Sequence, residues 1–405
     1  MKRFYEHIFE EHFLQNRQML FLVGPRQIGK TTLSKEIASR RTTHFYLNWD
    51  SQKDRASIVA GPETVAELLN LSMPEMGKEL PLIIFDELHK YKKWKSFLKG
   101  FFDKYSTQAH IIVTGSARLD IFKAGGDSLM GRYFLYRIHP LSVAEIISPF
   151  DRKTEILQEP KEISSEAFDD LLKFGGFPDP FLKQDPLFYN QWTRLRFQQL
   201  FNEDLRDLTL IQDLAQMQVL AELLQQQAAQ LTSYQSLASK VNVSVDTIKR
   251  WIQVLKSFYY CFTLKPWTKN VTRSLLKEPK LFLWDWSLVE DEGARKENFI
   301  ASHLLKAVHF WTDRGFGSFE LYFLRDKEKR EVDFLVSKDK KPWFIVEVKS
   351  SENRSISKSL FYYQKVTGAQ HAFQVTFDSE FVQGDCFSLT EPTIVPAKTF
   401  LSQLI

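Results

Sequence analysis

Met19-Leu-Phe-Leu-Val-Gly-Pro-Arg-Gln-Ile-Gly-Lys-Thr-Thr32 runs from an unbroken apolar stretch into a glycine-bounded loop and on into helix-forming residues. Gly24 to Thr31 fits the pattern G-x-x-x-x-G-K-[ST] at every position, in strand–loop–helix context. Glycines accept dihedrals that other residues avoid, so backbone N–H groups can turn inward around phosphates. Gly24, Pro25, Arg26, Gln27, Ile28, Gly29, Lys30, Thr31 and Thr32 are therefore the expected cradle of a nucleoside triphosphate. Lys30 would reach the β- and γ-phosphates, and the Thr31 hydroxyl would sit on a magnesium ion. The helix that follows, through Arg40, would add positive partial charge from its amino end.

Outward from this loop, short apolar runs alternate with helical stretches. Thr43–Asn48 reads as a second strand, and Leu82–Phe85 as a third that closes on Asp86 and Glu87. Adjacent acids at a strand tip beside such a loop have distinct uses: Asp86 would hold magnesium through its water shell, and Glu87 would polarise the attacking water. His110–Thr114 is a further strand whose tip offers Thr114 and Ser116 as groups able to sense the γ-phosphate, or simply a Gly-Ser turn. Arg118 and Arg132 are both available to neutralise transition-state charge, and the sequence does not choose between them. The alternation, kept up to about residue 140, predicts an α/β fold with a parallel, doubly wound sheet and the nucleotide at its carboxyl edge.

A chain of 405 residues has room for several domains, each with its own core. The 43% hydrophobic and 26% charged residues suit an ordinary globular protein, and a net charge of +4 is too small to argue nucleic-acid binding by itself. The only two cysteines, Cys261 and Cys386, have no metal-ligand spacing and read as reduced, buried thiols of a cytoplasmic protein. No apolar stretch is long enough to span a bilayer and no signal peptide is evident, so no membrane partner is expected.

After roughly residue 160 the sequence turns helical. Gly175-Gly176 with Pro178 forces a corner, which is either a plain loop or a Gly-x-Pro element contacting nucleotide from a helical lid. Ser233–Lys240 and Val245–Leu255 flank a short turn with Ser244 as N-cap, as in a helix-turn-helix. Leu237, Ala238, Val243, Ile248, Ile252 and Leu255 would share one core, and the strand-forming Phe258–Leu264 suits a winged variant. Lys249 and Arg250 on the second helix would face DNA, unless the element is a packing module. Trp284-Asp285-Trp286 reads as packing at a domain edge.

Near the carboxyl end, Glu331–Val336 and Trp343–Lys349 alternate polar and apolar residues on either side of a turn segment. A turn centred near Lys340 sets Asp333 across from Glu347 and Glu331 across from Lys349. Asp333 and Glu347 would then bind a divalent ion through hard oxygens, with Lys349 orienting water for attack on a phosphodiester. Glu297, read as opening a helix, would add a ligand or a supporting acid. The same residues also suit a salt-bridged solvent face.

Taken together, the loop, Phe85-Asp-Glu-Leu-His89, Thr114–Ala117, the helix-turn-helix, Glu331–Phe334 and Glu347–Lys349 resemble a prokaryotic AAA+/STAND-type P-loop ATPase with a winged helix and a carboxyl-terminal restriction-endonuclease-like PD-(D/E)xK domain. The resemblance covers nearly the whole length and keeps the motif order, with His89 standing where glutamine is commoner. It implies ATP and magnesium handling by Lys30, Thr31, Asp86 and Glu87, and nuclease-type positions at Glu297, Asp333, Glu347 and Lys349, with a second Mg2+ or Mn2+ there. The expected organisation is a P-loop domain over 1–150, a helical lid over 151–230, a winged helix over 231–280 and an endonuclease-like domain over 281–405. The expected function is an ATP-hydrolysing switch acting on DNA, possible as a homo-oligomer. The alternative is a signalling or scaffold ATPase whose last domain binds nucleic acid or protein without cutting.

Overall fold

The computed structural model describes residues 3–71, 79–115, 129–147, 155–205, 213–268, 278–350 and 355–405. These fall into two compact units, the first ending at His139 and the second beginning at Pro140. The expected divisions at 230 and 280 fall inside one unit, because the elements on both sides of them share a core.

The amino-terminal unit runs α1 (Tyr5–Gln15), β1 (Met19–Val23), α2 (Lys30–Ser39), β2 (His44–Asn48), α3 (Gln52–Ala60), α4 (Pro62–Leu68), β3 (Leu82–Asp86), α5 (Trp94–Tyr105), β4 (His110–Thr114) and β5 (Tyr133–Arg137). Its sheet is wholly parallel in the order β2-β3-β4-β1-β5. Every residue of β1 and β3 is buried, which is what a strand covered on both faces requires and why these runs are apolar throughout. Phe21, Val23, Ile83, Phe85, Leu98 and Phe101 are central to the core on one face. Because all strands run the same way, the tips of β1, β3 and β4 lie together at the carboxyl edge.

The second unit begins with α6 (Val143–Ile147), α7 (Ser165–Phe174), α8 (Pro178–Lys183), α9 (Pro186–Gln199) and α10 (Leu214–Gln226). It continues with α11 (Tyr234–Val241), α12 (Val245–Ser257), β6 (Cys261–Pro266), β7 (Lys280–Leu283) and α13 (Glu292–Asp313). The last part is β8 (Phe319–Arg325), β9 (Glu331–Lys338), β10 (Lys341–Lys349), α14 (Lys358–Thr367), β11 (His371–Thr376), β12 (Thr393–Pro396) and α15 (Ala397–Ser402). Its mixed sheet has the order β12-β11-β10-β9-β8-β6-β7.

The two helices of the expected helix-turn-helix are present, and the Ser244 hydroxyl accepts from the Thr247 amide as an N-cap. Leu237, Ala238, Ile248, Ile252 and Leu255 are buried while Val243 is half-buried, and all six pack in one core with Met217, Leu220, Leu281 and Leu283. The strand expected as a wing, β6, pairs antiparallel with β7, and its last two residues pair parallel with β8 in the large sheet. Lys249 and Arg250 are exposed.

The Gly175–Gly176 corner is a packing feature of this unit. A Cβ on Gly176 would lie 2.5 Å from the Trp286 ring and 2.8 Å from the Leu141 carbonyl oxygen. Trp286 is buried and donates its ring N–H to the Leu171 carbonyl at 3.0 Å, and the buried Asp285 pairs with Arg196 at 2.9 Å. The Trp-Asp-Trp stretch thus packs, in keeping with its reading.

Candidate functional site

In the amino-terminal unit the loop turns through three positive-φ residues, Gly24 (153°), Gln27 (60°) and Gly29 (90°). Gly24 is fixed by contact: a Cβ there would sit 2.4 Å from the Ile138 carbonyl oxygen just beyond β5. Lys30, the first residue of α2, is buried and donates to the carbonyls of Gly24 at 2.9 Å and Pro25 at 2.6 Å. Burial lowers its ammonium to about 8, against the pull of Glu87 and Asp86. An incoming phosphate would supply the full countercharge that carbonyl dipoles supply only in part.

The acid at the tip of β3 meets this loop across 55 residues of sequence: the Thr31 hydroxyl donates to Asp86 Oδ2 at 3.0 Å. Asp86 is buried and also accepts from the hydroxyls of Thr114, at the tip of β4, and Tyr46, on β2. The strand order produces this meeting, since β4 lies between β1 and β3. Burial, together with the hydrogen bond to Asp86, raises the Tyr46 hydroxyl well above its ordinary value. Glu87, the next residue, adopts a left-handed backbone (φ 56°, ψ 21°) and faces Lys90 at 3.4 Å and His89 at 3.7 Å.

Of the remaining expected groups, Thr114 lies at the acid, while Ser116 and Arg118 fall outside the described residues. Arg132 lies at the wrong edge of the sheet. It precedes β5, its carbonyl accepts from the Met19 amide at the start of β1, and its guanidinium is held by Asp103. In a parallel sheet a residue before one strand cannot reach the loop that follows another, so Arg132 does not serve the loop of its own subunit.

In the second unit the β9–β10 ladder pairs Val346 with Phe334, the register expected from a turn near Lys340. Asp333 and Glu347 follow at its open end, where Asp333 Oδ2 accepts from the Val348 amide at 2.8 Å. Lys349 pairs with Glu347 Oε1 at 2.7 Å, and Glu347 Oε2 is buried without a hydrogen-bond partner among the described residues. Glu297 lies in the second turn of α13, which opens at Glu292 behind the N-cap Asp291 rather than at Glu297 itself.

Lys280, at the start of β7, was not foreseen. Its ammonium lies 3.0 Å from Glu297, 2.5 Å from Glu331 and 3.5 Å from Asp333. Glu331 thus pairs with Lys280 and Arg325, where Lys349 had been the expected neighbour. Burial raises Glu297 to about 8, helped by the Asp333 charge and opposed by Lys280. Asp333 is likewise raised, first by burial. Burial acts upward on Glu331 too, but Lys280 and Arg325 outweigh it and its value falls. Lys280 rises despite burial, because three carboxylates surround it. Among the described residues, no three His, Cys, Asp or Glu side chains converge closely enough to hold a metal ion.

Residues 16–147 match the family described as AAA domain, residues 165–291 a domain of unknown function (DUF8612), and residues 292–389 a domain of unknown function (DUF4143). With its complete phosphate loop, all-parallel sheet and adjacent acids, the amino-terminal unit is a P-loop domain of the AAA ATPase type. The chain is similar to the uncharacterized protein Rv2008c of Mycobacterium tuberculosis, 24% identical over 362 residues, 86% of this chain and 74% of that protein. It is also similar to the uncharacterized protein MJ1544 of Methanocaldococcus jannaschii, 24% identical over 333 residues, 78% of this chain and 71% of that protein. Among solved structures, AMPPCP-bound DnaA from Aquifex aeolicus has 13% identity and a TM-score of 0.32 over 62% of this chain and 86% of that one. A katanin structure has 17% identity and a TM-score of 0.25 over 43% of this chain and 60% of that one. Both likenesses are remote. No helix among the described residues is long and apolar enough to cross a membrane.

Proposed function

We propose that the protein is a magnesium-dependent ATPase switch that acts on DNA through a nuclease-like pocket in its second unit. The observation that carries the ATPase reading is the hydrogen bond from Thr31 to Asp86, which joins the phosphate loop to the acid at the tip of β3. Two hard oxygen donors side by side, next to a buried ammonium, fit a hydrated magnesium ion bound with a triphosphate. The ion, when bound, neutralises charge on the phosphate oxygens. Lys30 holds the β- and γ-phosphates, Thr114 and Tyr46 fix the orientation of Asp86, and Glu87 accepts a proton from the attacking water. Phosphate release by wild type and by Glu87→Gln tests this. The variant should bind ATP and turn over slowly, and rapid release from it would show that Glu87 does not polarise the water.

For the second unit, the buried, unpartnered Glu347 Oε2 beside Asp333 supports a divalent ion held by those two carboxylates. Lys349, paired with Glu347, would orient a water toward a phosphodiester. A plasmid-cutting assay with Mg2+ or Mn2+ on wild type and Asp333→Ala tests this: cleavage lost in the variant supports it. The competing reading is a domain that binds nucleic acid or protein without cutting. What favours it is Lys280, whose ammonium already answers three carboxylates. No cleavage by the wild type under any nucleotide condition selects it.

A further inference from the structure

The acidic pocket of the second unit divides into two unlike halves. In one, Lys280 lies among Glu297, Glu331 and Asp333 at 3.0, 2.5 and 3.5 Å, with its side chain almost wholly withdrawn from solvent. In the other, Glu347 Oε1 is held by Lys349 while Oε2, equally buried, meets no donor among the described residues. Asp333 joins the halves, with Oδ1 toward Lys280 and Oδ2 on the Val348 amide beside Glu347.

The carboxylates of the first half come from two elements, α13 and β9, while the lysine comes from a third, β7. An ammonium buried within 3.5 Å of three carboxylates does the electrostatic work of a bound cation. It screens mutual repulsion that would otherwise spread the acids apart. A divalent ion would need the same oxygens at roughly 2.0–2.6 Å, closer than two of the three now stand to the lysine nitrogen. Ammonium and ion cannot share the position.

We infer that Lys280 is a resident cation occupying one of two cation positions in this pocket, so that the pocket admits a divalent ion only at the Glu347 half. This rests on the metal-binding reading given above and deepens it. Lys280 becomes a positioning residue that fixes Asp333 and limits the pocket to a single ion, in contrast to sites that clamp a phosphate between two.

The test is a count of Mn2+ bound by the full chain, without nucleotide, from the free-ion signal in electron paramagnetic resonance. Any ion at the phosphate loop is common to all variants and cancels in the comparison. Lys280→Met should bind one more Mn2+ per chain than wild type, with its fold checked by circular dichroism. Should Lys280→Met not fold, Lys280→Gln carries the same count, since its neutral amide, one bond shorter than the lysine ammonium, leaves the cation position open. An unchanged count in the folded variant overturns the inference. Glu347→Gln in the wild-type background reports separately on the ion at the other half. If it loses an ion while the Lys280 variants gain none, the lysine's role alone falls. If nothing is lost and nothing gained, the metal-binding reading falls with it.

Discussion

Glu87 carries a strain that should be separable from its chemistry. Its left-handed backbone (φ 56°, ψ 21°) costs a residue with a long side chain about 1–2 kcal/mol, a penalty that asparagine largely escapes. Against this stand its partly exposed ion pair to Lys90 at 3.4 Å, contributing about 0.5 kcal/mol, and its contact with the buried His89 ring at 3.7 Å. Glu87→Asn should therefore stabilise the amino-terminal unit by about 1 kcal/mol. Glu87→Gln, which keeps the length and the strain, should leave stability within about 0.5 kcal/mol. Both should slow ATP turnover by about 10²–10⁴-fold, the usual contribution of a general base. Amide exchange of β1, β3 and β4 in the full chain reads the stability, and phosphate release reads the chemistry. Loss of protection by 1 kcal/mol or more in Glu87→Asn would show that the carboxylate holds the turn rather than straining it. Turnover within tenfold of wild type in both variants would remove Glu87 from the reaction.

Three further outcomes concern the second unit. Lys306 donates to the fully buried Glu145 at 2.5 Å and to the Pro140 carbonyl and Ser142 hydroxyl, each at 2.9 Å. Lys306→Met should cost about 3–5 kcal/mol in urea unfolding by taking the ammonium away from a buried carboxylate, and adding Glu145→Leu should restore most of it; a single-variant cost below about 1 kcal/mol would contradict this. His303 accepts from the Val143 amide at Nε2 and sits 2.8 Å from the Phe299 carbonyl at Nδ1, so it is neutral, and burial lowers its value to about 3. The unfolded chain binds the extra proton, so this contribution is intact above about pH 6.5 and declines as pH falls toward 3. Between pH 7 and 5 wild type should lose about 2 kcal/mol more than His303→Gln, and parallel pH profiles would refute it. Gly176→Ala should cost about 1–3 kcal/mol by overlap with Trp286 and Leu141, and an unchanged unfolding midpoint would show that the corner yields freely.

The candidate nucleotide site was legible because its parts are local: a loop with a fixed residue pattern, and an apolar strand closing on two acids. That Thr31 and Asp86 would meet followed from parallel strands sharing a carboxyl edge. The same logic keeps Arg132 away from the loop of its own subunit, since a residue preceding a strand sits at the opposite edge. The β9–β10 register was readable from turn position and alternation, which are again local. Lys280 was not readable. It stands 53 residues from Asp333 and reaches the acids only because β7, β6, β8 and β9 are neighbours in one sheet, a pairing no short-range pattern encodes. The pairing of β6 with β8 was not legible for the same reason: a strand after a helix-turn-helix looks alike whether or not its far end joins a larger sheet. Tyr46 gave only its position in β2, and its bond to Asp86 depends on β2 lying beside β3.

The claim on which the rest depends is that the loop from Gly24 to Thr32 and the acid Asp86 form a single site for ATP with magnesium. Titration calorimetry of ATP into the folded protein, with and without Mg2+, measures this directly for wild type, Thr31→Ala and Asp86→Asn. The expected result is binding by wild type that strengthens with Mg2+, and loss of most of that strengthening in both variants. Heat absent from wild type, or a Mg2+ effect that both variants retain in full, would contradict it.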